Sequence, residues 1–160
     1  MTVGKLAEER KNGERVLFFC GTPLRAGKIC PALVRAVEEH AASFSVKEFV
    51  VGERGAFDRV AARAVTEVRA AYPEIRLTLL LPFHPGQRPA ALPEGFDGSR
   101  YRFGPEYIPP RAAVIRANRA AVRAAERLII CASDPSGNTA VLLAYARRRE
   151  GLAVTEIPFT

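Results

Sequence analysis

Apolar residues in this chain form short continuous runs, separated by stretches with a helical period. The runs are Arg15–Cys20 (RVLFFC), Val46–Val51 (VKEFVV), Ile75–Leu81 (IRLTLLL), Arg127–Ala132 (RLIICA) and Leu152–Ile157. Runs of this kind, with little alternation, read as strands covered on both faces. Ile29, Leu33, Val34 and Val37 recur at helical spacing within a helix from Gly27 to about Ser43. Phe57, Val60, Ala61, Ala64, Val65 and Val68 share one face of a longer helix from Ala56 to Tyr72, which Pro73 stops. Arg111–Ala125 and Asn138–Arg149 are two further helices. The order β-α-β-α-β, irregular segment, α-β-α-β predicts a Rossmann-like three-layer α/β fold with a mostly parallel sheet of about five strands. Residues 1–14 read as a flexible arm, and residues 15–160 as one domain. Residues 82–110 hold Pro and Gly throughout, with Tyr101, Phe103 and Tyr107 close together. That is too long for an ordinary connection, and reads as a lid or as an excursion over a site.

Right-handed crossovers put all strand-to-helix loops on one edge of such a sheet. Three polar loops meet there: Gly21–Gly27, Gly52–Asp58 and Ser133–Thr139. The first follows Gly21 and offers Thr22 and Arg25 for hydrogen bonds to an anion, with a plain turn as the alternative. It is not a nucleotide P-loop, because its glycines are one residue too far apart and Ile29 replaces the metal-binding hydroxyl. In the second loop Gly52 and Gly55 allow a positive φ or a close backbone approach. Asp58 falls in the first helical turn, where it either caps the helix or accepts a ribose hydroxyl or an amine. In the third, Asp134, Gly137, Asn138 and Thr139 surround a helix start suited to holding a phosphate or carboxylate. Asn138 or Thr139 is the expected cap, and an ordinary connector is the alternative. The pair Asn118 and Arg119 enters the same region from the helix Arg111–Ala125 and could hold a phosphate. Arg116 and Arg123 read as a solvated face.

Composition narrows the field. The 160 residues are 48% hydrophobic and 26% charged, as expected of a soluble globular protein. No apolar run is long enough to span a bilayer, and the charged N-terminus lacks the apolar core of a secretory signal. The expectation is a cytoplasmic protein without membrane contact. Net charge is +7, which permits nucleic-acid or phosphate binding without showing it. The arginines spread over every predicted helix and no aromatic–basic interleave stands out, so nucleic acid is not the favoured partner. The three cysteines have no metal-binding spacing, and their odd number speaks against a disulfide framework. Cys20, next to the first loop, reads as a small buried hydrophobe in preference to a reactive thiol. No His/Cys cluster or nucleophile elbow occurs, so no metal and no cofactor are expected, and no catalytic residue is assigned.

Several of these stretches resemble the YpsA-like proteins of the SLOG superfamily, whose wider members include the Smf/DprA proteins and the LOG phosphoribohydrolases. CGTPLR stands where relatives carry a TGHR- or TGY-like turn. GERGAFD, followed by AARAVTEVRAAYPEIRL, is similar to the family's GGxxGxD and its Ala-rich helix. Pro82-Phe83 follows the third strand, as in the family. Ala117-Asn118-Arg119 and AERLIICASDPSGNTAVLLAYARRREGLAVTEIP resemble its RNR and GGT segments. The resemblance spans about residues 15–158. It implies a nucleotide or nucleotide-derived ligand at Gly21, Thr22, Gly52, Gly55, Asp58, Asn118, Arg119, Gly137 and Thr139. The chain departs from the pattern where Pro23 follows Thr22, where Gly137-Asn138 replaces paired glycines, and where Ala125-Glu126 replaces Ser-Asp. Leu142 stands at the position of the LOG catalytic Glu, and it cannot move a proton.

The leading expectation is therefore a nucleotide-binding domain, or one for another phosphorylated small molecule, without obvious catalysis. A phosphoribohydrolase-like enzyme using Glu53 or Asp58 is the first alternative. DNA binding, by analogy with Smf/DprA, is the second. The apolar helix faces and the aromatics of 82–110 suit either a homo-oligomer or the covering of a sheet edge.

Overall fold

The computed structural model describes residues 15–21, 26–53, 55–89, 91–131 and 137–157, with backbone alone for 26–30. Residues 1–14, the predicted arm, lie outside these. The elements in chain order are β1 (Arg15–Gly21), α1 (Ala26–Ser43), β2 (Val46–Val51), α2 (Ala56–Arg69) and β3 (Arg76–Leu80). They continue with β4 (Gly98–Arg100), α3 (Pro110–Ala124), β5 (Arg127–Cys131), α4 (Asn138–Arg147) and β6 (Ala153–Glu156). All strands pair in parallel, in the order β4-β3-β2-β1-β5-β6.

Four of the five apolar runs are central, with both faces covered; the fifth, Leu152–Ile157, instead forms the edge strand β6 (Ala153–Glu156), which has only one neighbour and stays half-exposed. Leu17 and Phe19 face a core shared with α1 and α2, while Val16 and Phe18 face one shared with α3 and α4. The six residues expected on the buried face of α2 are the six that the core takes. On α3 the buried stripe is instead mostly alanine: Ala113, Ala117, Ala120 and Ala121, with Val122. Small residues let this helix lie close to the sheet. On the same helix Ile115 is 37% exposed while Val122 is fully buried.

The sheet has one strand more than expected. Gly98–Arg100 forms β4 inside the 82–110 segment, which is therefore only partly irregular. A three-residue Gly-Ser-Arg strand carries no apolar signal of its own. Its attachment is polar. Asp97 exchanges hydrogen bonds with Leu77, its Oδ2 accepting the Leu77 N–H and its N–H reaching the Leu77 carbonyl, each at 2.8 Å. Arg69 of α2 donates to the same Oδ2 and to the Gly95 carbonyl, both at 2.8 Å. Gly95 turns the chain there at φ +94°, a left-handed conformation that glycine adopts without strain.

Two strands in from β4, on β2, Glu48 is buried on the α3 face of the sheet, 1% exposed. Its Oε2 accepts from Thr78 Oγ1 at 2.8 Å and from Arg100 Nη2 at 2.9 Å. The carboxylate thus ties β2, β3 and β4 together. Among the described residues no helix is long and apolar enough to cross a membrane.

Arg100→Met should leave the Glu48 charge buried without its counter-ion and cost about 3–5 kcal/mol. Denaturant melts should show most of that loss restored by adding Glu48→Leu. An unaltered midpoint in the single variant would mean that β4 is not held this way.

Candidate functional site

The chain runs outward from β1 through β2 and β3 to β4, then α3 carries it back past β1 to β5. β1 and β5 therefore flank the switch in direction, and their ends are level: Gly21 pairs with Cys131. In open α/β sheets a crevice forms beyond the strand ends at such a point. A cavity of about 130 Å³ lies there, within a wider opening.

Every layer of the fold contributes to its wall. Phe18, Phe19, Cys20 and Gly21 come from the end of β1, and Gly52 and Glu53 follow β2. Asp58 comes from α2, Leu80 and Pro82 from the end of β3, and Thr139 from α4. Val114, Ala117 and Asn118 come from α3. Leu80, Val114 and Ala117 form an apolar side, and Glu53, Asp58, Asn118 and Thr139 supply hydrogen-bonding groups.

Local packing fixes this geometry. A Cβ on Gly21 would lie 2.7 Å from two carbons of the Phe57 ring, so only glycine lets α2 seat its first turn on the end of β1. Phe57 itself is fully buried. The adjacent Asp58 accepts the Gly55 N–H at 3.0 Å, the side-chain half of a capping box. Gly52 and Gly55 do not take positive φ. They are glycines beside a carboxylate: Cβ atoms there would stand 3.1 and 3.5 Å from Asp58 Oδ2. Asp58 therefore caps the helix and lines the cleft at once.

Gly21, Gly52, Glu53, Asp58, Asn118 and Thr139 are thus brought together as the sequence suggested. Gly55 holds the Asp58 carboxylate but does not line the cavity. Gly137, rather than Asn138 or Thr139, is the N-cap of α4, and Thr139 turns inward, 8% exposed. Arg119 and Asn138 lie next door, in a groove between α3 and α4. Thr22, Arg25 and Asp134 lie outside the described residues. Val114 and Pro82 were missed. Val114 was legible, standing one turn before Asn118 on the same helix face.

Two other expectations need correction. Arg116 is half-buried: its guanidinium lies 3.9 Å from the Phe103 ring centre, with Nη2 3.4 Å from the Tyr101 hydroxyl. Tyr101 in turn packs edge-on against His84 and Phe103. An aromatic–basic interleave therefore does exist, folded from residues distant in sequence. Glu126, where the family pattern has Asp, accepts the Val16 N–H at 2.7 Å and anchors the start of β1.

Cys20 is half-buried at the cleft. Burial, and then the Asp58 charge, push its thiol up to about 12, against a hydrogen bond from Thr139 that lowers it. It stands beside the ligand space as a neutral thiol. Cys131, on the neighbouring strand, is buried and also raised by desolvation. Among the described residues no cluster of His, Cys, Asp and Glu has the makings of a metal site.

A solved structure shares this architecture. It is DNA processing protein A from Helicobacter pylori, described for its single-stranded DNA binding mode. The TM-score is 0.55 at 18% identity over 88% of this chain. The match takes in 64% of that protein's chain, so this chain spans less than two thirds of its neighbour. The likeness is one of fold, a Rossmann-like α/β domain. No family model and no curated protein matches the chain.

Alkylation of Cys20, followed by peptide mapping, should stay slow up to about pH 10, where a free thiol is fully reactive. Asp58→Asn removes the nearby negative charge, lowers the thiol pKa and should speed labelling. Rapid labelling of the unaltered protein at pH 8 would contradict the buried, neutral thiol.

Proposed function

We propose that the switch-point cleft binds a nucleotide or a related phosphorylated small molecule, and that the chain is a ligand-binding member of the SLOG superfamily, YpsA-like in type. The supporting observation is the convergence of Gly21, Gly52, Glu53, Asp58, Asn118 and Thr139 on one cavity beyond the ends of β1 and β5. Leu80, Val114 and Ala117 offer an apolar wall for a base. The Asn118 amide and the two carboxylates suit sugar hydroxyls or an exocyclic amine. The first turn of α4 and the neighbouring Arg119 suit the anion. Asp58 already accepts the Gly55 N–H, which ties it to holding its loop and favours binding over acid–base work.

A ligand at about 100 times its dissociation constant stabilises the folded state by about 2.7 kcal/mol. A thermal-shift panel of nucleoside monophosphates should therefore include at least one that raises Tm by several degrees. Asn118→Ala should abolish that rise while leaving the ligand-free melt nearly unchanged. No shift with any member would remove the proposal. Release of free base in the same incubations would turn it into a phosphoribohydrolase reading, with Glu53 as the group to test.

The second reading is single-stranded nucleic acid. It draws on α3, whose Arg111, Arg116, Arg119 and Arg123 are accompanied by no acidic residue, and on the adjoining Phe103–Arg116 stack. Aromatic and arginine surfaces of this kind suit unpaired bases. The fold neighbour's own single-stranded DNA binding adds support. Fluorescence anisotropy with oligo-dT separates the two: strong binding that weakens steeply with salt, without any monophosphate shift, favours this reading.

A further inference from the structure

A second cavity, of about 80 Å³, lies between α3 and α4 and is lined by Ile115, Asn118, Arg119, Asn138, Val141 and Leu142. It adjoins the cleft. Asn118 lines both cavities, and the successive α4 residues Asn138 and Thr139 line one each. The two differ in character. The groove has an apolar floor in Leu142, which belongs to the core, and apolar walls in Ile115 and Val141.

Those walls are unusual for this surface. Ile115 is 37% exposed and Val141 54%. Among the described residues they are two of the three large hydrophobics that remain exposed, the other being Tyr107. Both face one groove that opens beside a polar cleft. Arg119 stands at its rim, next to the shared Asn118, with its guanidinium 5.5 Å from the Tyr145 ring centre. An apolar trough with a cation in its wall thus adjoins a polar cleft, and Asn118 is the residue common to both.

We infer that the ligand has two parts: a nucleotide in the cleft and, esterified to its phosphate, an apolar or planar group lying in the groove over Leu142. The phosphodiester between them sits at Asn118, which lines both cavities, with Arg119 on the groove side. This rests on the cleft being a nucleotide site. A second copy of the chain is a poorer occupant, because a two-fold axis through the groove would bring the arginines of two α3 helices together.

Isothermal titration calorimetry on the full chain tests this, using the four nucleoside monophosphates and their phenyl phosphodiesters as probes. The phenyl ester of the preferred nucleotide should bind about tenfold more tightly than the monophosphate, a gain of about 1.4 kcal/mol. Val141→Glu should bring the ester down to the affinity of the monophosphate, and Asn118→Ala should weaken both. Circular dichroism melts of each variant confirm that it is folded. Monophosphate binding with no gain for the ester, or a gain that survives Val141→Glu, overturns the groove assignment alone. Binding of no probe overturns the cleft reading and this inference with it. A dimer in sedimentation that Val141→Glu splits would give the groove to a second copy and overturn the inference as well.

Discussion

The contact on which the site depends is the Phe57 ring lying over Gly21. It joins the end of the central strand to the first turn of α2 without room for even a methyl group between them. Phe57 is fully buried, so the ring cannot swing aside without opening the core. Because Asp58 follows Phe57, seating the ring also sets the carboxylate in the wall of the cavity that Cys20 lines. The Gly52–Gly55 turn then closes around Asp58 through the Gly55 N–H. One hydrophobic contact thereby fixes the polar wall of the cleft.

The opposite wall has a different origin. α3 returns the chain from the β4 edge to β5, and its alanines let it lie close over β1. Val114, Ala117 and Asn118 reach the cavity because they fall on the inward and forward part of that helix. Glu48 matters here at a distance. By holding Thr78 and Arg100 it ties in the edge strand from which α3 departs. Two buried interactions, one apolar and one ionic, thus position the two sides of a single crevice.

This division explains how much the sequence disclosed. The strands of the inner sheet are continuous apolar runs because both of their faces are buried, and such runs are legible locally. α2 was legible for the same reason, through a regular stripe of large residues. β4 was not, since Gly98, Ser99 and Arg100 have no apolar pattern and owe their place to partners such as Glu48 and Asp97 far away in the chain. The site shows the same contrast. Asp58 could be read as a cap or as a ligand-facing group, and the fold gives it both positions. Gly21 could be read as a loop residue but not as the seat of Phe57. Arg116 looked like a solvated arginine because Phe103, which it covers, is distant in sequence and lies in a segment without regular period.

Leu142 joins these strands of reasoning. In the resembled LOG pattern its position carries a catalytic Glu, and read alone the replacement is simply a loss of proton chemistry. In the fold Leu142 is 7% exposed, packed in the core beneath α3 and α4, and it is also the floor of the groove between them. A carboxylate there would need a partner to offset its desolvation, whereas leucine makes the trough apolar. Leucine at this position therefore sets what the groove can hold. A surface that keeps Ile115 and Val141 in water pays for it unless something covers them. The polar cleft next to them, joined to the groove through Asn118, points to a cover that is attached to whatever the cleft holds.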